Sequence, residues 1–417
     1  MRFRIILALV CMTTPIAHAA ANLNTGSITL EQVIIKVLED NPQLGINDFE
    51  AKAAAARIRQ AQQATPLEFK VELENLVGSG SYRGIDQLET TLSLAKVLEP
   101  NDSLTSRSNV AHKQQNLLSN RQDSKRLDLL AQATAHFIHL VVDQHRLQIA
   151  RDHLALMQHT LEIVSQRVSA GRSHRAEQGR LNIEVVQAEI ELEHAEHELL
   201  SSRLKLATSW GETQAQFTHA EADLFQLPPV GSFAQLETLL EHNPDLTRFA
   251  TEERLSQARL RLAQSRRAPG LALSGGIRYL NEPNDAALMF SVSMPFGAST
   301  RAKPEIDEMQ YLSQSQPLRY KQQRLALYTS LYEIYQELLH AQTTYEALNQ
   351  RIIPEAQQLA TDYQQGYQTG RFSLLELNEA QGTLLEAQME RVMAAANYHS
   401  LKTEIERLTG AALNSGE

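Results

Sequence analysis

The sequence predicts a mainly α-helical protein with four transmembrane β-strands, built from one unit used twice. Three observations predict this. Among 417 residues there are only 18 Gly, 13 Pro and 1 Trp against 42% apolar residues, the usage of long helices rather than of a Gly-punctuated α/β enzyme. Leu-Glu-Asp-Asn-Pro-Gln-Leu at 38–44 returns as Leu-Glu-His-Asn-Pro-Asp-Leu at 240–246, an offset of 202 residues, and such a repeat marks a duplicated architecture. Four stretches, two in each half, alternate apolar and polar residues, which is the strand rhythm.

The chain opens with Arg2 and Arg4, an apolar run from Ile5 to Met12, and Ala17-His18-Ala19. A basic start, a short apolar core and a small-x-small site read as a secretory signal peptide over 1–19. Cys11, the only cysteine, lies inside it after Val10. Ordinary cleavage without a lipid anchor is therefore expected, and the mature chain would hold no disulfide, thiolate metal site or cysteine nucleophile. No later stretch offers 18 consecutive apolar residues, the least that a transmembrane helix needs. A net charge of −10 leaves no concentrated basic face for phosphates, so nucleic acid is excluded as a partner.

The first unit is expected over 20–211 and the second over 231–410. Residues 212–230, with Pro228-Pro229, form a linker wrapping the outside, and 411–417 a tail. In each unit a helical run follows the Asn-Pro pair and ends at Pro66 or Pro269. A β-hairpin comes next, at about 67–97 and about 271–295. Leu67, Phe69, Val71 and Leu73 alternate with Glu and Lys, and Leu88, Leu92 and Leu94 share a face across the loop. In the second unit Leu271, Leu273, Ile277 and Tyr279 answer Leu288, Phe290, Val292 and Met294. Alternation over about ten residues suits a transmembrane strand with its apolar side to lipid, although a half-buried soluble strand alternates too.

Each unit closes with a long helical hairpin, at about 103–210 and about 302–409. Leu147, Ala150, Leu154, Met157, Leu161, Val164 and Val168 alternate spacings of three and four, as do Leu181, Val185, Ala188, Leu192, Ala195 and Leu199 after the turn, and Ala380, Leu384 and Ala387 in the second unit. That is the seam of an antiparallel coiled coil. At 1.5 Å per residue the arm from Ser103 to Ser169 would run about 100 Å. Val168-Ser-Ala-Gly171-Arg172 returns as Tyr367-Gln-Thr-Gly370-Arg371, offset by 199, so each tip is a glycine turn. Pro354 should kink or break the second arm.

Four strands cannot close a barrel, and open edges in lipid leave backbone groups without partners. Several copies must share one barrel, and a trimer gives twelve strands, an even number within the observed range. The helical hairpins would then continue that barrel as a periplasmic α-barrel.

The run from Arg351-Ile-Ile-Pro-Glu-Ala through Asp362-Tyr363, then Gly366-Tyr-Gln-Thr-Gly-Arg-Phe-Ser373-Leu-Leu-Glu-Leu to Ala380-Gln381, resembles the C-terminal repeat of the TolC-like outer-membrane efflux factors. The duplicated order of elements extends the resemblance over nearly the whole mature chain, and the short length and Asn-Pro helix starts are most similar to the heavy-metal efflux branch. The resemblance implies a homotrimer in outer-membrane lipid. It also implies work with a periplasmic adaptor (membrane fusion protein) and an inner-membrane pump of the RND type, with no cofactor.

It further implies that the hairpin tips dock the adaptor: Arg167, Gly171 and Arg172 in the first, and Gly366, Gly370, Arg371 and Ser373 in the second. His174 stands where the family's serine would be in the first tip. Glu177 and Glu376, one turn later, are candidates for the periplasmic entrance, and the glycines and glutamates also suit a plain hairpin turn and capping boxes. Leu271, Leu273, Phe290 and Val292 are the candidate lipid-facing positions. His194/His197 and His136/His139 stand at i, i+3, but neither pair has a third ligand, and a solvated helix face accounts for both, so no metal ligand is expected. No Gly-x-Ser-x-Gly elbow, His-Glu-x-x-His or phosphate-cradling loop occurs, which argues against an enzyme. The expected function is a passive trimeric duct exporting metal cations; the alternatives are a multidrug or type I secretion channel and a soluble periplasmic coiled-coil adaptor or scaffold.

Overall fold

The computed structural model describes residues 26–410; the expected signal peptide and the 411–417 tail lie outside them. The first unit holds β1 (Ser27–Ile28), α1 (Leu30–Asp40), α2 (Pro42–Ala61), β2 (Leu67–Glu74), β3 (Glu89–Leu98), α3 (Asn101–Ser169) and α4 (Arg175–Thr208). After β4 (His219–Ala220) the order recurs as α5 (Phe233–Leu239), α6 (Pro244–Ser265), β5 (Leu271–Leu280), β6 (Asp285–Ser293), α7 (Ala298–Ala347), α8 (Ile353–Thr369) and α9 (Leu374–Thr409). The strand expected from Leu88 to Val97 is shifted by one residue, and β1 with β4 forms a short parallel pair beyond the four strands anticipated.

The repeated Asn-Pro pair has a physical role in both halves. Pro42 and Pro244 take the first helical position, where a missing N–H costs nothing. Asn41 Oδ1 accepts from the Gln43 amide (2.8 Å) and Asn243 Oδ1 from the Asp245 amide (2.7 Å). The same side chains then donate from Nδ2 to the far end of their own unit, Asn41 to the Ser209 carbonyl (2.7 Å) and Asn243 to the Leu408 carbonyl (2.6 Å). One residue type thus starts a helix and ties it to the end of the returning arm.

α3 is continuous over 69 residues and packs on α4, α6 and α9, while α4 has α3 as its principal helical partner. Leu147, Met157, Val164, Leu181, Val185, Ala188 and Leu199 of the expected seams are buried, as are Ala380, Leu384 and Ala387. Near Pro354 the arm does not break: a single π-turn, Leu348–Ile352, precedes it and the helix continues as α8. Widening the helix by one residue is a way to accommodate the absent proline donor.

The 212–230 segment is packed into the body. Phe217, Ala220 and Leu224 are buried in one core with Val33, Val37, Phe137, Leu140 and Leu206. The Tyr345 and Tyr398 hydroxyls donate to the carbonyls of Phe225 (3.0 Å) and Pro228 (2.6 Å), and His399 Nε2 lies 3.0 Å from the Leu224 carbonyl.

β2, β3, β5 and β6 make one antiparallel sheet in the order β2-β3-β5-β6. All four helix–strand junctions lie at one end of it, and the loops 75–88 and 281–284 at the other. β2 and β6 are its edges, and neither has a further strand beside it among the described residues.

Candidate functional site

The register divides the sheet into two unlike faces. Phe69, Leu94, Gly275 and Phe290 form one cross-strand row, Val71, Leu92, Ile277 and Leu288 the next toward the loops, and Leu67, Lys96, Leu273 and Val292 the next toward the helices. Leu271 lies on the same face opposite Leu98. All four apolar strand positions singled out from the sequence therefore share one face, and Phe290 is 74% exposed. The opposite face carries Glu68, Lys70, Glu72, Ser274, Ser291 and Arg278 and is hollowed to about 310 Å³. Arg278 donates to Glu89 (2.7 Å) and Thr91 (3.0 Å) and pairs with Glu74 at 2.6 Å. Alternation alone did not reveal that cluster, because it joins three strands.

At the other end of the molecule the two hairpin tips lie side by side. Each turn closes through a left-handed glycine, Gly171 at φ +69° and Gly370 at φ +79°. The Arg172 amide donates to the Arg167 carbonyl (2.8 Å) and the Arg371 amide to the Gly366 carbonyl (2.8 Å), the Schellman closure that such a glycine permits.

The side chains at these equivalent positions differ. Arg167 is matched by Gly366 in the second unit and Ser173 by Phe372. Gly366 is buried, and a Cβ there would overlap the Phe372 ring, which packs 4.5 Å from Tyr363. Arg167, expected at the surface, is half-buried and reaches across to the second tip. Its guanidinium donates to the carbonyls of Tyr367 (2.7 Å) and Gln368 (3.0 Å) and to Ser173 Oγ (3.1 Å), and lies 4.7 Å from the Tyr367 ring centre. Nothing in the one-dimensional pattern marked Tyr367 or Ser173 as its partners.

The glutamates also part company. Glu376 completes a capping box with Ser373, whose backbone and side-chain hydrogen bonds hold its carboxyl below the usual range. In the first tip His174 is the cap, its Nδ1 accepting from the Ala176 amide at 3.1 Å. Glu177 is thereby released from the expected box and accepts from the Tyr367 hydroxyl at 2.9 Å. Burial, then that hydrogen bond and charge, raise the Tyr367 pKa. Arg172 and Arg371 remain exposed, and their side chains make no ion pair or hydrogen bond among the described residues.

His136 Nδ1 lies 2.9 Å from Ser209 Oγ, and His194 lines a groove of about 540 Å³ with Asp143, His153, Glu191 and Glu198. Among the described residues no three His, Cys, Asp or Glu side chains are grouped to hold a metal ion.

An exposed apolar sheet at one end of a duplicated helical body is the architecture of an outer-membrane efflux channel. Residues 33–212 and 236–411 match the family described as outer membrane efflux protein, once for each unit, and the chain belongs to that family. The cobalt-zinc-cadmium resistance protein CzcC of Cupriavidus metallidurans is 24% identical over 385 residues, covering 92% of this chain and 90% of its own. Two solved structures share the fold at 16% identity. A membrane protein from Pseudomonas aeruginosa matches with a TM-score of 0.76 over 91% of this chain and 90% of its own, and CusC with 0.74 over 91% of each. The protein resides in the outer membrane, with a large helical portion on the periplasmic side.

Proposed function

We propose that three copies form a passive duct, a twelve-stranded barrel continued by a helical tube, serving as the outer-membrane component of a tripartite efflux system. The observation that carries this is the sheet, with two open edges and one exposed apolar face, which becomes satisfied in lipid only when edges of neighbouring copies meet. The helical body offers complementary flanks. α4 exposes Ile183, Val186 and Ile190, while α7 exposes Tyr311, Leu318, Leu325, Tyr332 and Leu339, one every seventh residue. Joining unlike flanks head to tail generates a ring. A soluble adaptor or scaffold would leave both sheet face and flanks in water.

On this reading Leu271, Leu273, Phe290 and Val292 face lipid, the polar hollow faces the lumen, and the tips meet the adaptor and the inner-membrane pump, which we take to be of the RND type. Arg172 and Arg371, with Arg175 close by in the first tip, are exposed tip side chains free to dock, and Glu177 and Glu376 stand at the periplasmic entrance. Metal cations are the cargo we favour, because the relative CzcC is named for cobalt, zinc and cadmium resistance. Deleting the coding region tests the cargo. Sensitivity to those cations, reversed by the wild-type chain, is expected; unchanged metal tolerance with lost drug tolerance or protein secretion would assign another cargo to the same duct.

A further inference from the structure

A single charged side chain interrupts the apolar face of the sheet. Lys96 sits in the row of Leu67, Leu273 and Val292, with Leu98 and Leu271 beyond it. It is exposed and makes no ion pair or hydrogen bond among the described residues. Two residues separate it from the helix-side end of β3, about 7 Å at strand rise. A lysine there can lay its aliphatic stem along the apolar surface and present its ammonium at the level of the headgroups.

At the same end, among the described residues, unpaired cations outnumber the one unpaired carboxylate in the first turn of α3, Asp102. Arg267, Arg301 and Lys303 are exposed there without ion pairs among the described residues, whereas Glu99 is held by Arg107 and Glu305 by Arg266. Phe296, 88% exposed just past β6, is an aromatic placed where girdles of aromatic residues flank the apolar band of a membrane barrel. The loop end has the opposite balance, with Glu74, Glu89, Glu282 and Asp285 against Arg278 and Arg83.

We propose that Lys96 binds the phosphate of an anionic glycerophospholipid in the periplasmic leaflet, one per chain, with Arg267, Arg301 and Lys303 supplying the attractive field. The proposal rests on the reading of this face as lipid-facing. Phosphate is the matching chemistry because an unpartnered ammonium at the border of an apolar surface meets lipid headgroups there and no protein acceptor.

The test is native mass spectrometry of the full-length assembly released from nanodiscs containing phosphatidylglycerol and phosphatidylcholine. Wild type and Lys96→Arg should retain phosphatidylglycerol preferentially, and Lys96→Gln should lose that preference by about fivefold. Lys96→Leu, which makes the face wholly apolar, should insert normally and lose it too. Equal phosphatidylglycerol retention by wild type, Lys96→Gln and Lys96→Leu overturns the assignment. If the wild-type protein enters no bilayer, the lipid-facing reading itself fails and the assignment falls with it.

Discussion

Arg167 does more for the tips than its exposed neighbours, because one guanidinium spans two hairpins from different halves of the chain. Hydrogen bonds from charged groups contribute about 1.5–3 kcal/mol when buried, and partial exposure reduces this to about 1–2 kcal/mol here. Arg167→Gln should therefore raise amide exchange over 364–372 without affecting the sheet. Arg167→Lys should not restore protection, since a lysine cannot reproduce the planar fork that meets two carbonyls and a ring. Unchanged exchange in Arg167→Gln would show that the tips adhere through other contacts. The pairing of Arg167 with Gly366, and of Ser173 with Phe372, could be read from the 199-residue offset. That Arg167 bridges the tips could not, because that depends on how the two hairpins lie together. His174 illustrates the same limit: it stands where the family's serine would be, and its imidazole nitrogen takes over the cap while Glu177 turns to Tyr367.

At the scale of elements, the strands were legible because period two survives any packing, and the register now assigns each position to a face. Phe290→Arg, in the central row, should impair insertion by about 2–4 kcal/mol if it lies near the bilayer midplane, and Val292→Arg, a row nearer the helices, by less. Ser291→Arg, on the polar face beside Ser274, should insert normally and alter conductance. Insertion assays showing Ser291→Arg blocked and Phe290→Arg neutral would place the opposite face toward lipid.

The 212–230 segment was less legible. It carries no periodicity, so nothing in it announced a parallel strand pair or a place in the core. Its attachment should depend on pH. Burial, chiefly, lowers the pKa of His145 and His399; at His399 the hydrogen bond to the Leu224 carbonyl opposes it and Lys402 adds to it, at His145 Arg391 adds to it, and Asp223 opposes it at both. His145 lies against Phe225 and His399 against the Leu224 carbonyl. Since the folded values lie below the unfolded one, their contribution is complete above about pH 6.5 and is lost as the pH falls through the folded values. Protease cleavage within 215–230 should thus increase on acidification. His399→Gln, which keeps an N–H for Leu224, should reduce that dependence; an unaltered profile would exclude His399 as its source.

For the whole molecule, duplication was the most informative feature of the sequence, since it set the order of elements, the two tips and the four strands together. Arg172 and Arg371 are exposed at the tips and their side chains have no partner among the described residues. Arg172→Glu combined with Arg371→Glu should leave assembly and barrel intact and abolish efflux-dependent metal resistance; normal resistance at normal expression would return both residues to a turn-forming role. Efflux, tip docking and the lipid-facing sheet all presuppose that copies close one barrel. The mass of the detergent-solubilised particle, corrected for bound detergent, tests that most directly. Three chains per particle with β-structure intact is the predicted result, and a stable single chain retaining its β-structure would contradict it.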